Sequence, residues 1–510
     1  MTKDKNVNNA PENGLDILPG QSIVRPDSSE FIDAVFDCRR FGGDILANTV
    51  GQGILLLLSF VMFLIIPKHL SINDYGYYQT FMLYSSYVGI LHLGFIDGVL
   101  IRWAGKDLSR VGGEVRPALL FLLLQQIIFI TPLILILYLM LELPIMWIAV
   151  MILVYALIEN LRVFFVFTSQ AVRKFRLLAL TKAGKGASLL IFMIIFFNLG
   201  YADFQHVIFA FLASSFLLLL TLAVYFRKYL SGKMQHRPHL MAYGKGNINT
   251  GIFVLLGNFI LMLFLTVDRL MVNFFFSLEN FAIYSFAVTA TVVIYTFIRA
   301  ISQVFFPYLS AITPNSRVRA YHLSKPVIII VWAAVLTLYF PLVSLLQSYL
   351  PKYITSLPIM QVLIGTIGFG SLIQILHVSY FKVYGKQRQY FICGITSVSL
   401  SIVFNLWAIT VWGSLQSVAM ATLISSAIWY IFNEVSLKSV VAESNRNLWK
   451  GVTVLGCYLG SFWLASFLSD WFTLQMLLYL GFFSLITWLF LRQEIKDLVK
   501  ALNRPGTQQY

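Results

Sequence analysis

Ser71-Ile72-Asn73-Asp74-Tyr75-Gly76-Tyr77-Tyr78 lies between two long apolar runs, which predicts a short turn that enters a second membrane helix. A weaker copy follows as Ser277-Leu278-Glu279-Asn280-Phe281-Ala282-Ile283-Tyr284. Tyr75, Gly76 and Tyr78 then align with Phe281, Ala282 and Tyr284, and Asn48-Thr49 ahead of the first copy faces Asn249-Thr250 ahead of the second. The spacing differs slightly, which places a small insertion in the second copy. Single matches arise by chance in apolar sequence. Both copies, however, sit at a first-to-second helix turn, and that shared position favours a duplication.

Working outward, composition sets the class. The chain is 58% hydrophobic and 12% charged, with mean hydropathy +0.79. A soluble domain carries about 25% charged residues, so an all-α polytopic membrane protein is expected. Cys38, Cys393 and Cys457 are far apart and form no CxxC, which indicates neither a disulfide framework nor a zinc site. Residues 1–42 are polar and rich in Asn, Asp, Pro and Ser, without the apolar core of a signal peptide. Arg39-Arg40 reads as positive charge flanking a span.

Fourteen apolar segments, each about 20 residues long, are able to cross a bilayer. They run over 44–66, 77–101, 118–140, 145–167, 177–198, 206–226, 248–276, 281–306, 326–348, 355–380, 390–412, 415–437, 451–469 and 472–491. With the N-terminus inside, nearly all of the 37 Lys and Arg fall in the inner loops and tails. The outer loops hold only Lys68, Arg269 and Lys352, while Arg162 and Arg299 lie within spans. Positive charge stays on the cytoplasmic side, so an N-in, C-in topology is expected. This distribution also accounts for the net charge of +15 without nucleic acid.

The two copies start an even number of spans apart, so the halves share one orientation. A pseudo-twofold axis along the membrane normal is then expected, as in parallel-repeat transporters. The expected organisation is a cytoplasmic tail (1–42), two pseudo-symmetric six-helix bundles (43–226 and 248–437) joined by a cytoplasmic linker (227–247), and two further helices with a tail (438–510).

No phosphate-binding loop, HExxH or Asp-rich metal motif occurs, and no cofactor or metal is expected. The outer loops are too short to carry the active site of a membrane polymerase or sugar transferase. Ionisable residues inside spans are costly in lipid and usually face a bundle interior or water. Glu159 and Arg162 share a helical face, either as a self-neutralising packing pair or as part of a hydrated cavity. Arg299 has no nearby carboxylate in sequence. Asp268-Arg269 lies toward the outer end of its span, where snorkelling is the plainer reading. Asp97, within Gly94-Phe-Ile-Asp-Gly98, suits close helix packing, gating or proton carriage. Asp44 and Glu434 read as interfacial. Tyr84, Tyr87 and His92 lie deeper on the second helix, available for packing or for lining a sugar-compatible surface.

Ile66-Pro67-Lys68-His69-Leu70, Asn73 to Phe81 (NDYGYYQTF), Gly94-Phe95 and the basic loop after them resemble Wzx-type polysaccharide flippases, of the superfamily that includes MurJ lipid II flippases and MATE exporters. Val267-Asp268-Arg269-Leu270 before Asn280-Phe-Ala-Ile-Tyr284 is similar to that family's second-half opening. The resemblance implies two bundles around a cationic cavity in a bacterial inner membrane. It further implies ion-coupled translocation of an undecaprenyl-diphosphate-linked oligosaccharide for surface polysaccharide such as O-antigen, with a polymerase and chain-length proteins as candidate partners. Arg162, Arg299 and Arg269 are then candidates to hold the diphosphate, and Asp97, Glu159 and Asp268 to bind a coupling H+ or Na+. The second reading is a cation-coupled exporter of drugs or small amphiphiles.

Overall fold

The computed structural model describes residue 53 and residues 57–231, 240–311, 313–441 and 445–502. Among these the chain is entirely helical. In order come α1 (Leu57–His69), α2 (Ile72–Ser85), a 3-10 turn (Val88–His92), α3 (Phe95–Trp103), α4 (Leu108–Met140), α5 (Ile145–Ala171), α6 (Phe175–Asn198), α7 (Phe204–Tyr225) and the short α8 (Arg227–Leu230). Then follow α9 (Leu240–Phe264), α10 (Val267–Phe275), α11 (Leu278–Ala311), α12 (Pro314–Leu336), α13 (Tyr339–Tyr349) and a 3-10 turn (Pro351–Ser356). The chain continues through α14 (Leu357–Leu372), a π turn (Ile373–His377), α15 (Val378–Val383), α16 (Gln387–Trp407), α17 (Leu415–Leu437), α18 (Asn445–Leu468) and α19 (Phe472–Leu502). Twelve described helices are long and apolar enough to cross a membrane, or thirteen if the bent pair α2–α3 forms one span. The expected segments from 77–101 onward all fall on these. The tail, Cys38, Asp44 and most of the first expected span lie outside the described residues, as does the middle of the linker.

Ser71 starts α2 by accepting the Asp74 backbone N–H on its hydroxyl at 3.0 Å. A Ser cap with an acid in the first turn satisfies free N–H groups and suits the positive helix end. Ser71–Tyr78 is therefore the cap and opening turns of the helix, and the expected start at 77 moves back to 72. Ser277 does the same for α11, accepting Asn280 N–H at 3.3 Å. The two copies also touch: a Cβ on Gly76 would lie 2.8 Å from Leu278 Cδ1 and 2.9 Å from the Leu278 carbonyl oxygen.

Two expected spans are broken. The second bends by 61° between α2 and α3, through Leu93 at φ 48° and Gly94 at φ 81°. The seventh breaks at Leu265–Thr266, between α9 and α10. The breaks face each other, with the Tyr87 hydroxyl hydrogen-bonded to Thr266 Oγ1. Beyond them α3 packs along α9 with backbones in contact. A Cβ on Gly98 would stand 1.9 Å from the Asn247 carbonyl oxygen, and one on Gly251 2.0 Å from that of Gly94. Only glycine permits this approach.

Toward the other end, α2 packs along α11, and Phe286 and Tyr353 stack with centroids 4.4 Å apart while Tyr75 meets both edge-on. Lys68 Nζ donates to the Tyr349 carbonyl at 2.8 Å, and Lys352 donates to the carbonyls of Leu70 and Lys68. Contacts thus join the helices before residue 227 to those after 239 at both ends. Helices α18 and α19 pack on each other and on α12 and α13.

Candidate functional site

Between these contacts lies a cavity of about 370 Å³. Met62 and Phe63 of α1, Tyr78 and Gln79 of α2, Arg162 of α5 and Lys185 of α6 line it from the N-terminal side. Thr289, Val292 and Val293 of α11 line it from the C-terminal side.

Its polar wall is built on Glu159. The helical spacing of α5 brings Arg162 back onto Glu159 as a fork, with Nε 2.9 Å from Oε2 and Nη2 2.7 Å from Oε1. Lys185 Nζ reaches the same Oε1 at 2.9 Å and the Tyr155 hydroxyl at 3.1 Å. Two cations thus share one carboxylate, which leaves an excess positive charge on a wall that both cations line. The fork uses part of the Arg162 guanidinium, whose planar donors suit phosphate or carboxylate oxygens.

Gln79 joins this wall to the seam between α2, α10 and α11. Its Nε2 donates to the Tyr75 hydroxyl at 2.6 Å and to Thr289 Oγ1 at 3.2 Å, while its Oε1 accepts Arg269 Nη2 at 2.8 Å. Arg269 stands behind Gln79 rather than on the cavity surface. Asp268 and Arg269 are buried, at 3% and 9% exposure, which corrects the snorkelling reading. The backbone break at Leu265–Thr266 turns both inward. Asp268 Oδ2 accepts the Tyr284 hydroxyl at 2.7 Å and that of Thr422 at 3.3 Å.

The remaining sequence candidates lie along the breaks. Tyr84 donates to Asn273 Oδ1 at 3.0 Å and Tyr87 bonds Thr266, so these hydroxyls tie α2 and its exit to the seventh span. His92 Nδ1 accepts the Gly94 N–H at 3.1 Å, and its Nε2 is 3.9 Å from the buried Asp97 carboxylate. None of the four lines the cavity. Arg299 sits on α11 seven residues past Val292, and its side chain lies outside the described residues.

Sequence reasoning missed Lys185, Lys325 and Gln79. Lys185 falls inside the expected 177–198 span and Lys325 just before 326–348, and nothing in the neighbouring sequence singles either out. Yet Lys185 stands well inside α6, and Lys325 in α12 is only 6% exposed. Their polar partners, Glu159 and Glu434, were the available signal. Glu434, expected at the interface, is wholly buried. Its place on α17 turns it toward α12 and the π turn, and supplies it with partners that solvent would otherwise replace.

No protein-family model matches the chain, and no curated protein matches it by sequence. Its fold matches solved structures. The lipid II flippase MurJ, in an inward closed conformation, superposes with TM-score 0.67 at 13% identity, covering 88% of this chain and all of MurJ. A multidrug resistance MATE family transporter of the MOP superfamily, in an inward-facing conformation, superposes with TM-score 0.52 at 15% identity over 78% of this chain and 96% of that one. These structural neighbours are transporters and flippases rather than enzymes.

Proposed function

We propose that the protein is a flippase that translocates an undecaprenyl-diphosphate-linked oligosaccharide across a bacterial inner membrane by ion-coupled alternating access, for surface polysaccharide assembly. The observation that carries this reading is the cavity lined by helices from both sides of the chain, with Arg162 and Lys185 supplying more positive charge than Glu159 cancels. A diphosphate stripped of water needs such compensation. The fold shared with MurJ supports it. In this reading Arg299 joins Arg162 at the diphosphate from α11, the two six-helix bundles rock about the repeat axis, and fourteen spans place both termini in the cytoplasm. Reporter fusions near residues 107, 174, 235, 319 and 386 should all report cytoplasm, and two outward reports would overturn that topology.

The test uses liposomes carrying the purified full chain and a fluorescent undecaprenyl-diphosphate oligosaccharide. Wild type should expose the glycan on the far leaflet. Arg162→Lys should keep partial activity, since charge survives without the fork, and Arg162→Ala should abolish it. If Arg162 only neutralises Glu159, the Glu159→Gln/Arg162→Gln double variant recovers full flipping. The fold shared with a MATE transporter supports a second reading, export of small amphiphiles. Gradient-driven efflux of a cationic dye, with no glycan movement, would select it.

A further inference from the structure

The end of the molecule at Ser71 closes over the cavity in layers. Ile66, Pro67 and Tyr75 belong to the cavity's own lining. Behind Tyr75 stand Phe286 of α11 and Tyr353 of the 3-10 turn after α13, which its ring meets edge-on. Tyr75, Phe286 and Tyr353 are all buried. Beyond them come Lys68, exposed, and Lys352, half-buried.

These two lysines are used crosswise. Lys68, in the last turn of α1, donates to the carbonyl of Tyr349, the last residue of α13, at 2.8 Å. Lys352, just past that helix end, donates back to the carbonyls of Lys68, at 3.2 Å, and Leu70. Each ammonium also stands over a ring of the seam, Lys68 at 4.6 Å from the Tyr349 centroid and Lys352 at 5.7 Å from that of Tyr353. The last carbonyls of a helix have no partner within it and carry the negative end of its dipole. Two such ends meet here, and each receives its cation from the other side of the seam.

The partners of these lysines set the contact apart from the ionic clusters. Glu159 and Glu434 hold their cations by charge, deep in the protein. No carboxylate among the described residues pairs with Lys68 or Lys352, and neutral carbonyls hold both. Water is able to replace a carbonyl at an exposed ammonium without stranding a buried charge. Such a contact holds a seam and releases it at little cost. Charge placement points the same way. Outer loops are poor in Lys and Arg, yet two of the three basic residues expected there, Lys68 and Lys352, make this one contact.

We propose that Lys68 and Lys352 form a crossed latch that keeps the outer end of the cavity closed and must be released before that end opens. On release, the ends of α1 and α13 separate, Tyr353 leaves Tyr75, and the cavity is uncovered at Ile66 and Pro67. The latch stands on these contacts alone. Its facing outward, and its use in transport, rest on the flippase reading above.

The test needs no substrate. Spin labels are attached through Asn73→Cys at the start of α2 and Gln347→Cys near the end of α13, both exposed positions. The full chain, with its three native cysteines exchanged for serine, is placed in phosphatidylethanolamine–phosphatidylglycerol liposomes, and label distances are read by pulsed electron paramagnetic resonance. One short distance should dominate with both lysines present. In Lys68→Met/Lys352→Met a longer-distance population should rise severalfold, since methionine keeps an apolar stem but donates no hydrogen bond. Lys68→Arg/Lys352→Arg should restore the short distance. An unchanged distribution in the methionine variant overturns the proposal, because the lysines then serve only as packing. If that variant fails to insert, Lys352→Met alone decides: it removes two of the three hydrogen bonds, and an unmoved distribution overturns the latch too. Separation in the methionine variant, with no glycan movement by wild type under any gradient, would support the latch and count against the flippase reading.

Discussion

Two buried glutamates organise the two ends of the sequence differently. Glu159 faces a cavity, is held by a fork from Arg162 three residues along its own helix, and receives Lys185 as a second cation. Glu434 faces two other elements, α12 and the π turn, has one lysine, one tyrosine and one histidine, and keeps an oxygen without a partner among the described residues. The first cluster carries surplus positive charge beside open space, which suits an anionic ligand. The second has its carboxylate and histidine wholly buried, with only Lys325 reaching a pocket.

The largest expected effect breaks the comparison from the closed side. Lys325→Met leaves the Glu434 carboxylate buried without its cation, and a broken buried pair costs about 3–5 kcal/mol. Chemical unfolding in detergent should show this loss, and the Lys325→Met/Glu434→Gln double variant should recover most of it. A loss under about 1 kcal/mol would mean that water reaches Glu434 freely and the cluster is not closed.

How much of this was legible in the sequence follows from what each feature depends on. Spans after the first were readable because apolar length alone marks them. The helix starts at Ser71 and Ser277 were readable because both serines offer the same capping chemistry. The crossing at Gly94, Gly98 and Gly251 was half readable: the glycines around Asp97 announced close approach, but not that Asn247 and Gly251 would be the partners. The break in the seventh span was hidden, because Leu265-Thr266 carries no Pro or Gly, and the break in the second was hidden because Gly94 signals close packing as readily as a bend. Lys185 and Lys325 were hidden for a different reason. Lys325 precedes an expected span and reads as loop charge, and Lys185 has no carboxylate near it in sequence; only another helix supplies each with its partner.

An intermediate effect sharpens the open side. Glu159→Gln leaves Arg162 and Lys185 together, but both reach the cavity, where water screens them. A loss of about 2 kcal/mol is expected, smaller than for Lys325→Met because no charge is stranded in a closed site. Liposome flipping should fall through misplacement of Arg162, with the apparent substrate affinity changing less than the maximal rate. An unfolding cost equal to that of Lys325→Met would erase the distinction between the clusters.

The smallest effect is the most discriminating. Lys185 is the lesser partner of Glu159, because the Arg162 fork already engages both carboxylate oxygens. Its side chain is 24% exposed, so its own desolvation is slight. Removing it as Lys185→Met should cost about 1 kcal/mol or less in unfolding, the scale of a partly solvated ion pair. Its place on the cavity wall gives it a second role, since it contributes half of the positive charge there. Flipping should therefore need several-fold more substrate to reach half its maximal rate, while the maximal rate changes little. Lys185→Arg should restore the affinity. If Lys185→Met instead destabilises as strongly as Lys325→Met and leaves the substrate dependence unchanged, Lys185 is a structural strut like Lys325. The cavity wall would then carry no surplus charge for an anionic ligand.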